Sequence, residues 1–244
     1  MWNITFCQKI GSNKQHNQDA LFNGLDVFQY KLKNAETICV ESEPLFLGVA
    51  DGISSSPTPQ RASRFIMDAL SKCQGLNSQW LRSVKSELLY HCDFGSSTTF
   101  VGAEISCSGK GKILNVGDSR AYKITLSGEW KQLSVDHIML AEMEAEGITD
   151  QNIDYASIYS MLSDYIVADF EFTDFKIHCT QFKLEKGESL LLCSDGFSDY
   201  ISQSQRQEIW QKYSTNKERL NVCKKILSSH RLYDDFSVVV CEMK

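Results

Sequence analysis

Leu45-Phe46-Leu47-Gly48-Val49-Ala50-Asp51-Gly52 is an apolar run closed by an aspartate. Ile113-Leu114-Asn115-Val116-Gly117-Asp118 and Leu190-Leu191-Leu192-Cys193-Ser194-Asp195-Gly196 end the same way, and Asp234-Asp235-Phe236-Ser237-Val238-Val239-Val240 begins with the acid. Short apolar runs bounded by turn residues read as strands buried on both faces. Strands that deliver carboxylates to one place make a cage for a hard cation, because converging carboxylates repel one another unless a divalent ion sits among them. Asp51-Gly52 and Asp195-Gly196, taken singly, are equally ordinary hairpin turns. The joint pattern, with Asn17-Gln18-Asp19 near the start, is much harder to produce by turn chemistry alone.

Working outward, strand-like segments lie near 2–7, 45–50, 97–106, 112–117, 120–126, 176–183, 189–194 and 235–243. Helical spacing covers Gln60 to Cys73, Gln79 to Tyr90, Met139 to Glu146, Gln203 to Tyr213 and Asn216 to Ser228. In the first helix Ala62, Phe65, Ile66, Ala69 and Leu70 share a face that packs on a sheet. Ser127-Gly128 closes a hairpin between Tyr122-Lys123-Ile124 and Trp130-Lys131-Gln132-Leu133. Strands surround paired helices rather than alternating with them one for one, so the expected class is an α+β layered fold.

The chain has 244 residues, 42% of them hydrophobic and 11% aromatic, enough to bury a substantial core. No Pro/Gly/Ser-rich linker or charge block divides it, so a single domain over 1–244 is expected. A formal charge of -6 gives no electrostatic reason to expect nucleic acid or an anionic membrane as partner. A membrane span needs about 18 apolar residues and no run reaches that length. The N-terminal Met1-Trp2-Asn3-Ile4-Thr5-Phe6-Cys7 lacks the basic and long apolar regions of a signal peptide. These readings point to the cytoplasm. Nine cysteines show no C-x-x-C pair and an odd count, and several sit in apolar runs, so they read as reduced core residues.

In order along the chain stand Asn17-Gln18-Asp19-Ala20, Gly48-Val49-Ala50-Asp51-Gly52, Gly95-Ser96-Ser97-Thr98-Thr99, Asn115-Val116-Gly117-Asp118-Ser119-Arg120-Ala121-Tyr122, Asp136-His137, Leu192-Cys193-Ser194-Asp195-Gly196 and Asp234-Asp235-Phe236-Ser237-Val238. The series resembles the motifs of metal-dependent PP2C-type (PPM) protein serine/threonine phosphatases, in a compact form similar to bacterial members. The Asn-Val-Gly-Asp-Ser-Arg-Ala-Tyr block is its most specific element. The resemblance implies two packed, mainly antiparallel sheets flanked by helices, with the metals at one end of the sandwich. It also implies a phosphatase acting on phosphoserine and phosphothreonine in proteins, opposing a Ser/Thr kinase, with a monomer expected.

The implied chemistry is hydrolysis by a water activated at a binuclear Mg or Mn centre, without a phospho-enzyme. Two divalent ions neutralise the phosphoryl oxygens and make a nucleophile from water near neutral pH. Hard oxygen ligands suit both ions. By resemblance, Asp51 bridges the two metals, Asp195 and Asp234 complete one of them, and the Gly52 carbonyl serves the other. Asp19 acts on that second metal directly or through its water shell, and Asp118 helps bind a third, weaker ion together with Asp195. Asp51, Asp195 and Asp234 carry the catalytic role.

Each assignment competes with a structural one. Asp19 also suits a cap, and Asp118, beside Ser119 and Arg120, suits a turn or a buried salt bridge. Asp235 reads as structural, His137 as a hydrogen-bonded structural group, and Arg61 and Arg64 as solvated surface charges. Three departures from the family pattern stand out. Lys14 occupies the place of a phosphate-forking arginine, and is implied to bind substrate as a point charge. Ile53-Ser54-Ser55-Ser56-Pro57 replaces a bulky residue followed by two glycines, and Asp235 replaces asparagine. Residues 147–175, with scattered acids and aromatics, lie where the family carries a variable flap. Two other readings compete: a catalytically silent regulatory or phosphoprotein-binding module of this fold, and an unrelated acidic α+β binding protein whose Asp-Gly pairs merely make hairpins.

Overall fold

A computed structural model describes residues 1–148, 161–170 and 175–243. In chain order the elements are β1 (Trp2–Lys9), β2 (Asp19–Phe22), β3 (Val27–Phe28), β4 (Glu36–Val40), β5 (Leu45–Asp51), α1 (Pro59–Leu70), α2 (Ser78–Leu88), β6 (Ser97–Thr98), β7 (Phe100–Ile105) and β8 (Lys110–Val116). They continue with β9 (Arg120–Ile124), β10 (Trp130–Gln132), α3 (Met139–Ala145), β11 (Ile166–Val167), β12 (His178–Lys183), β13 (Ser189–Cys193), α4 (Asp195–Ser198), α5 (Gln203–Lys212), α6 (Asn216–Leu227) and β14 (Phe236–Met243). One six-stranded sheet runs β10-β9-β13-β14-β1-β4, another runs β12-β8-β7-β5-β2-β3, and β11 pairs with β6 in a small ribbon.

The apolar runs become central strands because both their faces are covered. Leu190 and Leu192 of β13 and Val239 and Cys241 of β14 point into the seam between the two large sheets, against Leu45, Leu47 and Val49 of β5. The alternate residues, Leu191, Cys193, Val238 and Val240, face a layer holding Trp210 of α5 with Leu220 and Cys223 of α6. On the outer face of the other sheet, Ala50, Leu114 and Val116 meet Ile66, Met67 and Leu70 of α1. The result is four layers, helix, sheet, sheet, helix, with each buried aliphatic side chain worth about 1.5–3 kcal/mol. Gly48 lets α1 lie close to the sheet, since a Cβ there would stand 2.4 Å from a Leu70 methyl.

The layered α+β class, the helices and the β9–β10 hairpin match the sequence expectation, with ends displaced by a few residues. The expected strand 97–106 is in fact two, because β6 leaves the main sheet to pair with β11. β2, β3, β4, β11 and α4 were not expected. β2 and α4 are four residues each, too short to show a period, and β4 is an exposed edge strand bonded to β1 alone. The expected flap over 147–175 falls in large part outside the described residues. Among the described residues no helix is long and apolar enough to cross a membrane.

Antiparallel pairing decides where the aspartates go. β2 lies against β5 in a register that sets Asp19 opposite Asp51. β13 lies against β14 with Cys193 opposite Val238, so the start of one and the end of the other share an edge. β8 is antiparallel to β7, which is antiparallel to β5, so Asp118 leaves at the same end as Asp51.

Candidate metal centre

A cleft of about 140 Å³ at that end is lined by Asp51, Gly52, Asp118, Asp195 and Asp234, together with Ile53, Ser54, Thr99 and Leu162. Asp19 is fully buried behind Asp51. The structure thus gathers Asp19, Asp51, Asp118, Asp195 and Asp234, the five aspartates assigned to metal in the sequence.

The supports come from segments far apart in the chain. The Asp51 N–H donates to Thr99 Oγ1 at 3.0 Å, and its carbonyl accepts from the Thr99 N–H at 2.8 Å and the Thr98 hydroxyl at 2.9 Å. These bonds give the Gly95-Ser96-Ser97-Thr98-Thr99 motif a role that the sequence alone did not assign. Ser194 Oγ donates to Asp19 Oδ2 at 2.8 Å and accepts from the Ser237 N–H at 3.1 Å. Gly52 has a packing reason of its own: a Cβ there would stand 2.5 Å from the Pro59 carbonyl oxygen. Gly196 has a stronger one, since its Cβ would meet the Asp235 carbonyl oxygen at 1.8 Å.

Electrostatically the cleft is frustrated without a cation. Burial first, then the charges of Asp19, Asp195, Asp118 and Asp234, pushes the Asp51 carboxyl well above the usual carboxylate range. Burial and the charge of Asp235 do the same to Asp19. Asp118 is raised to about 8 by burial and by Asp195 and Asp136. Asp195 is raised to about 6 by burial and Asp234, and it lies within hydrogen-bonding reach of Asp51. Asp19 Oδ1 and Asp195 Oδ1 are buried with no hydrogen-bond partner. Among the described residues no group of three or more His, Cys, Asp or Glu already stands as a finished ion cage. Asp195 instead contacts Asp51, which two carboxyls do by sharing a proton, and Asp234 bonds to Lys14. Orphaned acceptor oxygens in an all-oxygen donor set fit a hard divalent ion.

A prediction follows for the metal-free protein. The folded pKa values lie above the unfolded value of about 3.9, so the folded state binds these protons more tightly. Stability is therefore fullest below about pH 4 and is lost as pH rises through about 6 for Asp195 and about 8 for Asp118. Thermal melts in EDTA should fall by about 4–8 °C between pH 5 and 8.5, for roughly 2 kcal/mol of repulsion. A flat profile would remove the electrostatic argument.

Lys14 stands at the rim, 20% exposed, bonded to Asp234 and, at 3.0 Å, to Asp235. Burial alone would lower its pKa, but the bonds and charges of both acids outweigh burial and raise it. Asp235 is 1% exposed and accepts from the Gly11 N–H at 2.7 Å and the Gln18 N–H at 2.9 Å, fixing the loop that leads into Asp19. Asp118 makes no pair with Arg120, whose guanidinium goes to Asp136 at 2.6 Å, so the salt-bridge alternative is not what the fold uses. His137 Nδ1 accepts from the Gly117 N–H at 3.3 Å, the structural role expected of it. Arg61 pairs with Asp93 and Arg64 with Asp68, away from the cleft.

Residues 11–228 match the family model described as Protein phosphatase 2C. The chain is 25% identical over 252 aligned positions to serine/threonine phosphatase stp of Listeria monocytogenes, covering 95% of this chain and 92% of the relative. Its fold superposes on the serine/threonine phosphatase PstP/Ppp of Mycobacterium tuberculosis with a TM-score of 0.78 at 17% identity, over 100% of both chains. It also superposes, with a TM-score of 0.73 at 18% identity and 99% of each chain, on a PstP catalytic domain solved with two manganese ions. The family match covers most of the chain and takes in Asp19, Asp51, Asp118 and Asp195: this chain belongs to the protein phosphatase 2C family and is a metal-dependent protein phosphatase.

Proposed function

We propose that the chain, as one domain over 1–244, hydrolyses phosphoserine and phosphothreonine in proteins. The observation that carries the reading is the convergence of Asp51, Asp118, Asp195 and Asp234 on one cleft, with Asp19 behind them and two buried carboxylate oxygens unpartnered. Two Mg or Mn ions would be held by Asp51, Asp195 and Asp234 with Asp19 and the Gly52 carbonyl, and a third by Asp118 with Asp195. Bound there, the ions neutralise phosphoryl charge and acidify a water near neutral pH.

The chain's own part is to hold these oxygens still. Thr98 and Thr99 fix the Asp51 backbone, and Ser194 orients Asp19. Lys14, on the rim, would offer its ammonium to the substrate phosphate. Direct attack by water, without a phospho-enzyme, agrees with the state of the thiol two residues before Asp195. Cys193 is fully buried and pushed up to about 12, mainly by burial, so it supplies no thiolate at neutral pH. Among the described residues no cysteine stands in a disulfide, which suits a reducing compartment and supports a cytoplasmic location. A monomer working against a Ser/Thr kinase completes the proposal.

The hold of Lys14 on Asp234 favours one competitor, a silent module whose ammonium fills the cation's place. Phosphate release from a phosphothreonine peptide decides between them. Mg or Mn should support release and EDTA should reduce it to background. Folded protein with no release in either ion would make the silent module the better reading.

A further inference from the structure

Against the carboxylate cleft lies a second and larger cavity, of about 500 Å³, walled by Ile53, Pro57, Met161, Leu162 and Tyr165. The two cavities share Ile53 and Leu162. Its walls are tied by backbone bonds to β6 and to the start of α3. The Ile53 N–H donates to the Ser97 carbonyl at 3.0 Å, the Met139 N–H to the Met161 carbonyl at 2.8 Å, and Leu162 bridges to Ile138. Met161 and Tyr165 are nevertheless 47% and 40% exposed, a cost in water that a bound apolar group would remove. Among the described residues that line it there is no charged side chain, so nothing there would hold a second phosphate or an acidic residue.

We propose that this cavity docks an apolar side chain of the substrate protein, carried close in sequence to the phosphorylated residue. The inference rests on the phosphatase reading above and adds a substrate preference to it. Continuity with the cleft names the occupant: a chain that places a phosphate among the aspartates and leaves across Ile53 or Leu162 carries its neighbouring side chains over this cavity. An extended chain advances about 3.3 Å per residue, so the cavity is reached from about one to three positions away. The segment Ile53-Ser54-Ser55-Ser56-Pro57, a departure from the family pattern, thereby becomes a wall of the specificity site. Ile53 stands at the bulky position of that pattern, and Pro57, beyond the two glycine positions, adds apolar surface to it.

The test uses the Mn-loaded full chain with p-nitrophenyl phosphate and phosphothreonine peptides bearing Leu, Ala or Lys at each of the three positions on either side. Leu at one position should raise kcat/KM over Ala by about 10-fold or more, the discrimination expected of one apolar side chain in a pocket. The double variant Met161→Ser/Tyr165→Ser should cut that preference below about 3-fold while its p-nitrophenyl phosphate turnover stays within about 2-fold of wild type. Turnover of p-nitrophenyl phosphate with no Leu preference, a preference for Lys alone, or a preference surviving in the double variant would each overturn the docking site and leave the phosphatase reading standing. No turnover of any substrate would overturn both.

Discussion

Asp195→Asn should lower Mn-supported phosphopeptide turnover by about 10³-fold or more, while the metal-free variant melts no lower than the wild type. Both halves come from the same environment. Asp195 opens α4, its Oδ1 is buried without a partner, and its carboxyl is raised to about 6 by burial and by the charge of Asp234. An amide of the same shape removes one like charge and donates to Asp51, which relieves the metal-free cleft. The same change deletes a charged oxygen from the set proposed to hold the ions. Lost activity with retained or improved stability marks a group kept for function at a cost in stability. If the variant kept a tenth of wild-type turnover, Asp195 would not be a metal ligand. A clear loss of stability would make it a structural residue instead.

The place of the site was legible in the sequence because the residues that build it sit where strands end, and strand ends are marked by where an apolar run stops. Asp51, Asp118, Asp195 and Asp234 were each visible in this way. What holds them was not visible, because it depends on pairs distant in the chain. Ser194 and Asp19, for instance, are separated by 175 positions, and their bond exists only after β13 and β2 are brought to one edge. Arg120 shows the opposite failure. Its neighbour Asp118 was the nearest acid in sequence, yet the turn after β8 sends the guanidinium to Asp136. β2 escaped detection although it carries Asp19, because four residues give too little alternation to separate a strand from a loop. The cavity beside the cleft was likewise illegible, since its walls come from the segment after β5 and the segment before β11.

Asp235→Ala should destabilise the protein by about 3–5 kcal/mol in urea titrations, more than a surface carboxylate warrants. Asp235 is 1% exposed and takes donors from Gly11, Gln18 and Lys14, so truncation leaves buried N–H groups and one ammonium without their acceptor. Asp235→Asn, which restores the residue usual in the family, should still cost about 1–3 kcal/mol here. One carboxylate oxygen faces the Gly11 N–H and the other faces the Gln18 N–H and Lys14 Nζ, so either placement of the amide sets a donor against a donor. Lys14 and Asp235 are therefore matched departures: the added negative charge satisfies the lysine, and the lysine helps satisfy a buried carboxylate. A double-mutant cycle with Lys14→Met and Asp235→Asn should show a coupling of about 1–2 kcal/mol, because removing the ammonium also removes one of the opposed donors. Zero coupling would mean that Lys14 rests on Asp234 alone and that the two departures arose independently. A positive result would also separate the two roles of the lysine. An ammonium held by Asp235 has a fixed position at the rim whatever occupies the cleft, which makes it a standing point charge for an incoming phosphate rather than a plug in place of an ion.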